Sequence, residues 1–300
     1  MKAYFAWLAK FITVLVVLVI FVPLLIGSVI GASSMMFAGH LPASEPKVAV
    51  VQISGVILES KDILEQLYTH VKDEEVIGIV LDINSPGGAV GPSQAIYSTV
   101  QKLSAQKPIV AAMGSVAASG GLYAALGAKK IYAQPGTLTG SIGVILQLPN
   151  FSKITEEYGF QMITIKSGEL KDVGNSFRPM TEADRDFLQA SVNKVRDGFV
   201  KAVVDGRGME SSLVESIADG RIILGSEAVE YGLADGFGTV YDAARTVYEL
   251  AGKSLEEDEV PNLFYEDDQF SKFREFFGAD VFGRSIRQFL QLLSSPMQLS

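Results

Sequence analysis

Residues 76–103 read VIGIVLDINSPGGAVGPSQAIYSTVQKL. The first part is a continuous apolar run with β-branched residues, the pattern of a strand buried on both faces. Pro86, Gly87 and Gly88 then break the chain. From near Ser93 the spacing of Ile96, Val100 and Leu103 predicts a helix with one apolar face. Residues 107–145, KPIVAAMGSVAASGGLYAALGAKKIYAQPGTLTGSIGVI, repeat the order strand, glycine turn, helix, strand. Strands that are apolar on both faces and alternate with helices predict an α/β fold, a parallel sheet flanked by helices.

The same alternation extends outward. Residues 47–57, KVAVVQISGVI, read as a buried strand ended by Gly55. A helix follows over 60–74, with Ile63, Leu64, Leu67 and Val71 in a stripe and His70 beside it as a surface or boundary residue. Downstream, 160–174 (FQMITIKSGELKDVG) reads as a strand leading into a polar loop. Residues 181–208 form a long helix, with Thr181 as its cap and Asp184 three residues on. A short strand at 221–224, a helix at 226–231 stopped by Gly232 and a closing helix near 241–251 complete the domain. No internal repeat is visible.

Composition narrows the function. With 300 residues and 48% hydrophobic content, the chain can bury one sizeable core. A net charge of −9 without any basic stretch excludes nucleic acid as a partner. The absence of cysteine removes disulfides, thiolate nucleophiles and Cys-ligated zinc, and no residue pattern asks for a metal or organic cofactor.

The amino terminus carries Lys2 and Lys10 and then an uncharged apolar run over 11–32, long enough to span a bilayer as one helix. The basic residues on its short side place residues 1–10 in the cytoplasm and the rest across the membrane. The expected organisation is therefore a transmembrane helix at 11–32, a linker at 33–46, a catalytic domain at 47–250 and a tail at 251–300. That tail is acidic and then Phe-rich and amphipathic. It reads as a helix packed on its own domain or on a neighbouring subunit, or as a membrane-surface contact.

In parallel α/β sheets, ligands bind where strands run into helices at their carboxyl ends. Two glycine turns lie there, NSPGG (84–88) and AASGG (117–121). Ser119, flanked by glycine that lets a substrate backbone come close, offers a nucleophile with backbone N–H groups beside it, the parts of an acyl-transfer site. A serine before a helix is also the commonest cap, and Gly-Gly an ordinary turn, so SGG alone does not choose. A nucleophilic serine needs a base. His40 lies in the linker and His70 on the first helix, which leaves lysine. An amine serves as a base near neutrality only when burial or nearby positive charge lowers its pKa by several units. Lys166 and Lys171 in IKSGELKD stand out, each among small and apolar residues after a strand, although a lysine near a polar loop is by default solvated, and spacing does not separate the two.

Together INSPGG, GSVAASGGLY, TLTGSIGV, IKSGELKD and ADGRIILGSEAVEYGLAD, in that order over residues 47–244, resemble peptidase family S49, the signal peptide peptidase A proteins. The resemblance implies a ClpP/crotonase-like fold and a serine peptidase without cofactor. It implies Ser119 as nucleophile, Lys171 as general base, Ser141 as the hydroxyl that aims the lysine amine, and the N–H groups of Gly88 and Gly120 as oxyanion hole. It further implies a homo-oligomeric ring whose serine and lysine can come from neighbouring subunits, and released signal peptides in the membrane as substrates. A broader quality-control protease for membrane peptides, and an inactive crotonase-fold scaffold or acyl-CoA-binding protein, are the alternatives. The latter would need neither an anchor nor both members of the Ser/Lys pair.

Overall fold

The computed structural model describes residues 46–265, together with Trp7 and Lys10. The chain divides into two units, Met1–Glu45 and Pro46–Ser300, and in the first only Trp7 and Lys10, both helical and exposed, are described. The expected transmembrane helix at 11–32, the linker up to Glu45 and the Phe-rich segment lie outside the described residues. Among the described residues no helix is long and apolar enough to cross a membrane.

The second unit is built on β1 (Lys47–Ser54), β2 (Val76–Ser85) and β3 (Ile109–Ala117), connected by α1 (Lys61–Lys72) and α2 (Val90–Ser104). These strands pair in parallel, β1 with β2 and β2 with β3. Their side chains alternate between two buried faces. Ala49, Val51, Ile53, Ile79, Leu81, Ile83, Ile109, Ala111 and Met113 point into the larger core. Val48, Val80, Val110 and Ala112 point the other way, onto Ala243, Ala244, Val247 and Tyr248 of α8 (Val240–Leu250). This period of two, apolar on both sides, is why the strands read as unbroken hydrophobic runs.

After β3 the chain makes α3 (Gly120–Ala125), β4 (Lys130–Ala133) and β5 (Leu138–Gly140), a short α4 (Ser152–Glu157) and a 3₁₀ turn at Glu169–Asp172. Then follow α5 (Glu182–Arg207), α6 (Ser211–Ile217), β6 (Ile222–Leu224), α7 (Gly225–Tyr231), β7 (Gly236–Phe237), α8 and β8 (Leu263–Tyr265). The upstream part of β3 pairs with β4, and its end, at Val116, turns to β5. β5 continues antiparallel to β6. Helices cover both faces, so the fold is mixed α/β with a mostly parallel sheet. Thr181 caps α5 in a reciprocal box with Asp184, and Gly232 ends α7 in the left-handed region, as the sequence predicts.

Three sequence expectations need correction. His70 is buried, its ring edge-on to Phe264 at 5.8 Å. What covers it is β8, which pairs in parallel with β1 and lies in the stretch the sequence assigns to an acidic tail. The stretch 160–166 has no ladder partner among the described residues. Its apolar side chains stand in the open, with Ile163 84% and Ile165 96% exposed.

Asp235 ties three elements together. Its carboxylate accepts from the Ile131 N–H at 2.8 Å, Lys130 at 2.9 Å and Arg207 at 2.8 Å. Burial alone would push its pKa up, but the bonds from Lys130 and Ile131 and the charge of Arg207 outweigh that and hold it below the ordinary value. The folded pKa therefore lies below the unfolded one. The resulting stability is present above the unfolded carboxylate pKa of about 4 and is lost as pH falls through the folded value. Asp235→Ala is expected to cost about 1–3 kcal/mol, because it leaves the Ile131 N–H without an acceptor and the shielded Arg207 guanidinium with only its bond to Gly232 O. Thermal unfolding at pH 3 to 7 checks both, with a shallower acid decline in the variant.

Candidate active site

Ser119 sits between β3 and α3 at φ 52° and ψ −119°, a conformation that non-glycine residues rarely adopt. The surroundings hold it there. Its N–H donates to the Gly140 carbonyl at 2.9 Å, its own carbonyl accepts from Tyr123, and the neighbouring Ala118 N–H donates to Ser85 O at 3.0 Å. The Ser119 side chain makes no capping bond to α3, which separates it from an ordinary N-cap serine.

Two threonines fasten β5 against this turn. Thr139 donates to Ala117 O at 2.6 Å and Thr137 to Gly114 O at 2.8 Å. Gly140, whose carbonyl receives the Ser119 N–H, is followed directly by Ser141. Ser141 is itself at φ 49°, with its N–H donated to Arg221 O at 2.7 Å. The two serines singled out from the sequence are thus coupled through the backbone of one hydrogen bond.

The PGG turn closes the other side. Gly87, at φ 98°, passes so near the Ser119 turn that a Cβ there would lie 2.6 Å from Gly120 N and 2.8 Å from Ser119 Cβ. Gly88 bridges to Ile57, and a Cβ on it would fall 2.2 Å from the Ile57 carbonyl oxygen. Backbone contact on this scale admits only glycine. A Cβ on Gly120 would in turn be 3.2 Å from Gly88 N, and both glycines line the same small pocket as Ser119. Among the described residues neither N–H has an acceptor. Two adjacent free donors beside a serine oxygen can hold an oxygen that gains negative charge.

Next to these groups is a small pocket lined by Val90, Tyr123, Val144, Val195 and Phe199, with Ser93 as a polar member. Its aromatic floor is fixed by Tyr123 on Phe199, ring centroids 4.6 Å apart, and by Tyr97 edge-on to Tyr123. Its lining is mostly apolar.

Ser85 was not legible as a site residue. It is fully buried, its Oγ donates to Gly55 O at 2.6 Å and accepts from the Gly87 N–H at 3.1 Å, and its carbonyl holds Ala118. It therefore joins both glycine turns. The only signal in the sequence is a serine immediately before Pro-Gly-Gly.

The lysines differ sharply. Lys166 donates to Asp172 Oδ1 at 2.6 Å and to Glu169 O at 2.9 Å, so two of its three hydrogens are engaged. Lys171 is exposed on the 3₁₀ turn and forms no side-chain hydrogen bond or ion pair among the described residues. The structure brings Ser119, Gly88, Gly120 and Ser141 together, and Lys171 bonds to neither serine.

Comparison with known proteins identifies the family. The family model for peptidase family S49 matches residues 101–254, and that for Clp protease matches 49–138. A candidate protease of Synechocystis sp., slr0021, is 38% identical over 220 residues, covering 73% of this chain and 78% of its own. A candidate signal peptide peptidase SppA of Enterococcus faecium is 37% identical over 215 residues, covering 67% of this chain and 62% of its own. Protease 4 of Haemophilus influenzae is 29% identical over 217 residues, which is 69% of this chain but 35% of that protein. With the family model spanning half of the chain, the Ser119 turn included, the chain belongs to peptidase family S49 and is a serine peptidase of the SppA type.

Proposed function

We propose that the protein is a membrane-anchored endopeptidase that cleaves released signal peptides within their apolar stretch, using Ser119 as nucleophile and Lys171 as general base. The observation that carries this reading is the pair of acceptor-free amides, Gly88 and Gly120, beside a serine held in a strained turn.

The Ser119 oxygen attacks the scissile carbonyl carbon while its proton passes to the Lys171 amine. The carbonyl oxygen, now negative, lies between the N–H groups of Gly88 and Gly120. Collapse breaks the C–N bond, the lysine returns the proton to the leaving amine, and an acyl-enzyme on Ser119 remains. Water, deprotonated by the same amine, then hydrolyses the ester. Lysine fits this role because the described histidine, His70, is packed under Phe264. The free amine of Lys171 and the two engaged donors of Lys166 favour the former as base. Ser141, next to the residue that holds Ser119, aims the amine. The apolar pocket suits the hydrophobic segments of signal peptides. The run at 11–32 supports an anchor with the catalytic domain on the extracytoplasmic side. Because Lys171 stands open on its turn, assembly into a ring in which a neighbour supplies one member of the pair completes the site.

The test is hydrolysis of a fluorogenic apolar peptide by the full-length chain at pH 6 to 10. Cleavage that rises toward alkaline pH and requires both Ser119 and Lys171 supports the reading. An assembled wild type that cleaves nothing points to a scaffold, and equal cleavage of polar peptides removes the signal-peptide preference. In the same assay Ser85→Ala is expected to lower kcat by about tenfold or more with KM little changed, since the PGG turn loses the bond that aims it.

A further inference from the structure

We infer that Arg178 is a positioning residue, which locks the turn carrying Lys171 to the amino end of α5 and so sets where the lysine amine is presented. This rests on Lys171 as the base.

The 3₁₀ turn Glu169–Asp172 has no buried residue of its own, and its leucine, Leu170, is 42% exposed. What holds it is charge. Asp172 directly follows Lys171, and Arg178 grips it as a two-pronged fork, Nε to Oδ2 at 2.9 Å and Nη2 to Oδ1 at 3.1 Å. Nη2 also reaches the Asp172 carbonyl at 3.2 Å. The same guanidinium bonds Asp184, through Nη1 to Oδ2 and through Nη2 to Oδ1 at 3.1 Å. Asp184 is buried and fixed, because its carboxylate accepts from the Thr181 N–H at 3.0 Å and its own N–H donates to Thr181 Oγ1 at 3.1 Å. One planar group thus transfers the rigidity of a 26-residue helix to the residue beside Lys171. Lys166 braces the turn from its other side through Asp172 and Glu169.

The side chains of Asp172 and Asp184 are 11% and 4% exposed, unlike a solvated surface pair. Hydrogen bonds from Arg178 hold both carboxyls well below the ordinary range, so the clamp stays ionised throughout an assay near neutrality. Just upstream, Ile163 and Ile165 of the stretch 160–166 stand in the open and add no core of their own.

The experiment compares steady-state cleavage of the fluorogenic apolar peptide by full-length wild type, Arg178→Gln, Arg178→Lys, Asp172→Asn, the Arg178→Gln/Asp172→Asn double variant and Lys171→Ala, with thermal unfolding alongside. Misplacing a proton acceptor lowers kcat without touching substrate affinity, so Arg178→Gln is expected to lose about 10- to 100-fold in kcat, with KM within about threefold. Arg178→Lys recovers part of the loss, since it restores charge without the fork. The double variant is no worse than Arg178→Gln, because the two groups act as one unit. If Arg178→Gln fails to fold, the nearly isosteric Asp172→Asn carries the test and shows the same loss confined to kcat. A folded Arg178→Gln enzyme with unchanged kcat, or a loss seen only in KM, overturns the inference while an inert Lys171→Ala leaves the base assignment standing. A fully active Lys171→Ala overturns the base assignment, and this inference with it.

Discussion

Ser119→Ala is expected to reduce peptide cleavage by roughly 10⁴-fold or more while leaving the melting temperature nearly unchanged. The rate falls because no other hydroxyl lies in the turn that β3, α3 and β5 jointly hold. Residual activity reflects only what the two amides and the pocket offer to attack by water. Stability is spared for a reason visible in the backbone. The Ser119 bonds that shape the turn, from its N–H to Gly140 O and from Tyr123 N–H to its carbonyl, are main-chain bonds that alanine keeps. The unusual φ of 52° burdens serine and alanine alike. An active-site serine label and a thermal melt on the same samples separate the two effects. A variant that still turns over at more than about one part in a hundred would require another nucleophile.

Lys171→Ala is expected to lower kcat by about 10²–10⁴-fold, the range over which a positioned base contributes. Lys171→Arg sharpens the test, because a guanidinium keeps the charge and much of the length but has no lone pair to offer. Both variants should be comparably impaired. Lys166→Ala instead removes one partly exposed ion pair and is expected to lose at most about tenfold. Measuring the three together distinguishes a requirement for a free amine from a requirement for positive charge in the segment.

The contrast between what the sequence shows and what it hides follows from the range of the interactions. The run of β1, α1, β2, α2 and β3 was legible because each strand is apolar on both faces and each helix carries a local stripe. The box of Thr181 with Asp184 and the stop at Gly232 are likewise decided within four residues. Ser119 could be singled out by its glycines, but whether it caps a helix or stands free depends on its bond to Gly140, 21 positions away, and on that of the neighbouring Ala118 to Ser85. Ser85 and Arg178 were missed because their partners are fixed by the fold and not by spacing. The failure at 160–166 has another origin. Its alternation is that of a strand, but a strand is defined by its neighbour, and among the described residues none is there. Burial of His70 required β8, which three residues in an acidic stretch did not announce.

That small strand has a practical meaning. β1 is an eight-residue parallel strand, and along its outer side its main-chain groups are met by β8 at Val48, Ala49 and Val50. A polypeptide cut before Leu263 would keep every group around Ser119 yet present a bare, flat and hydrophobic margin, a template for uncontrolled strand addition. Residues 263–265 act as a stopper on that margin. Any shortened form prepared for biochemistry should retain them if it is to stay in solution.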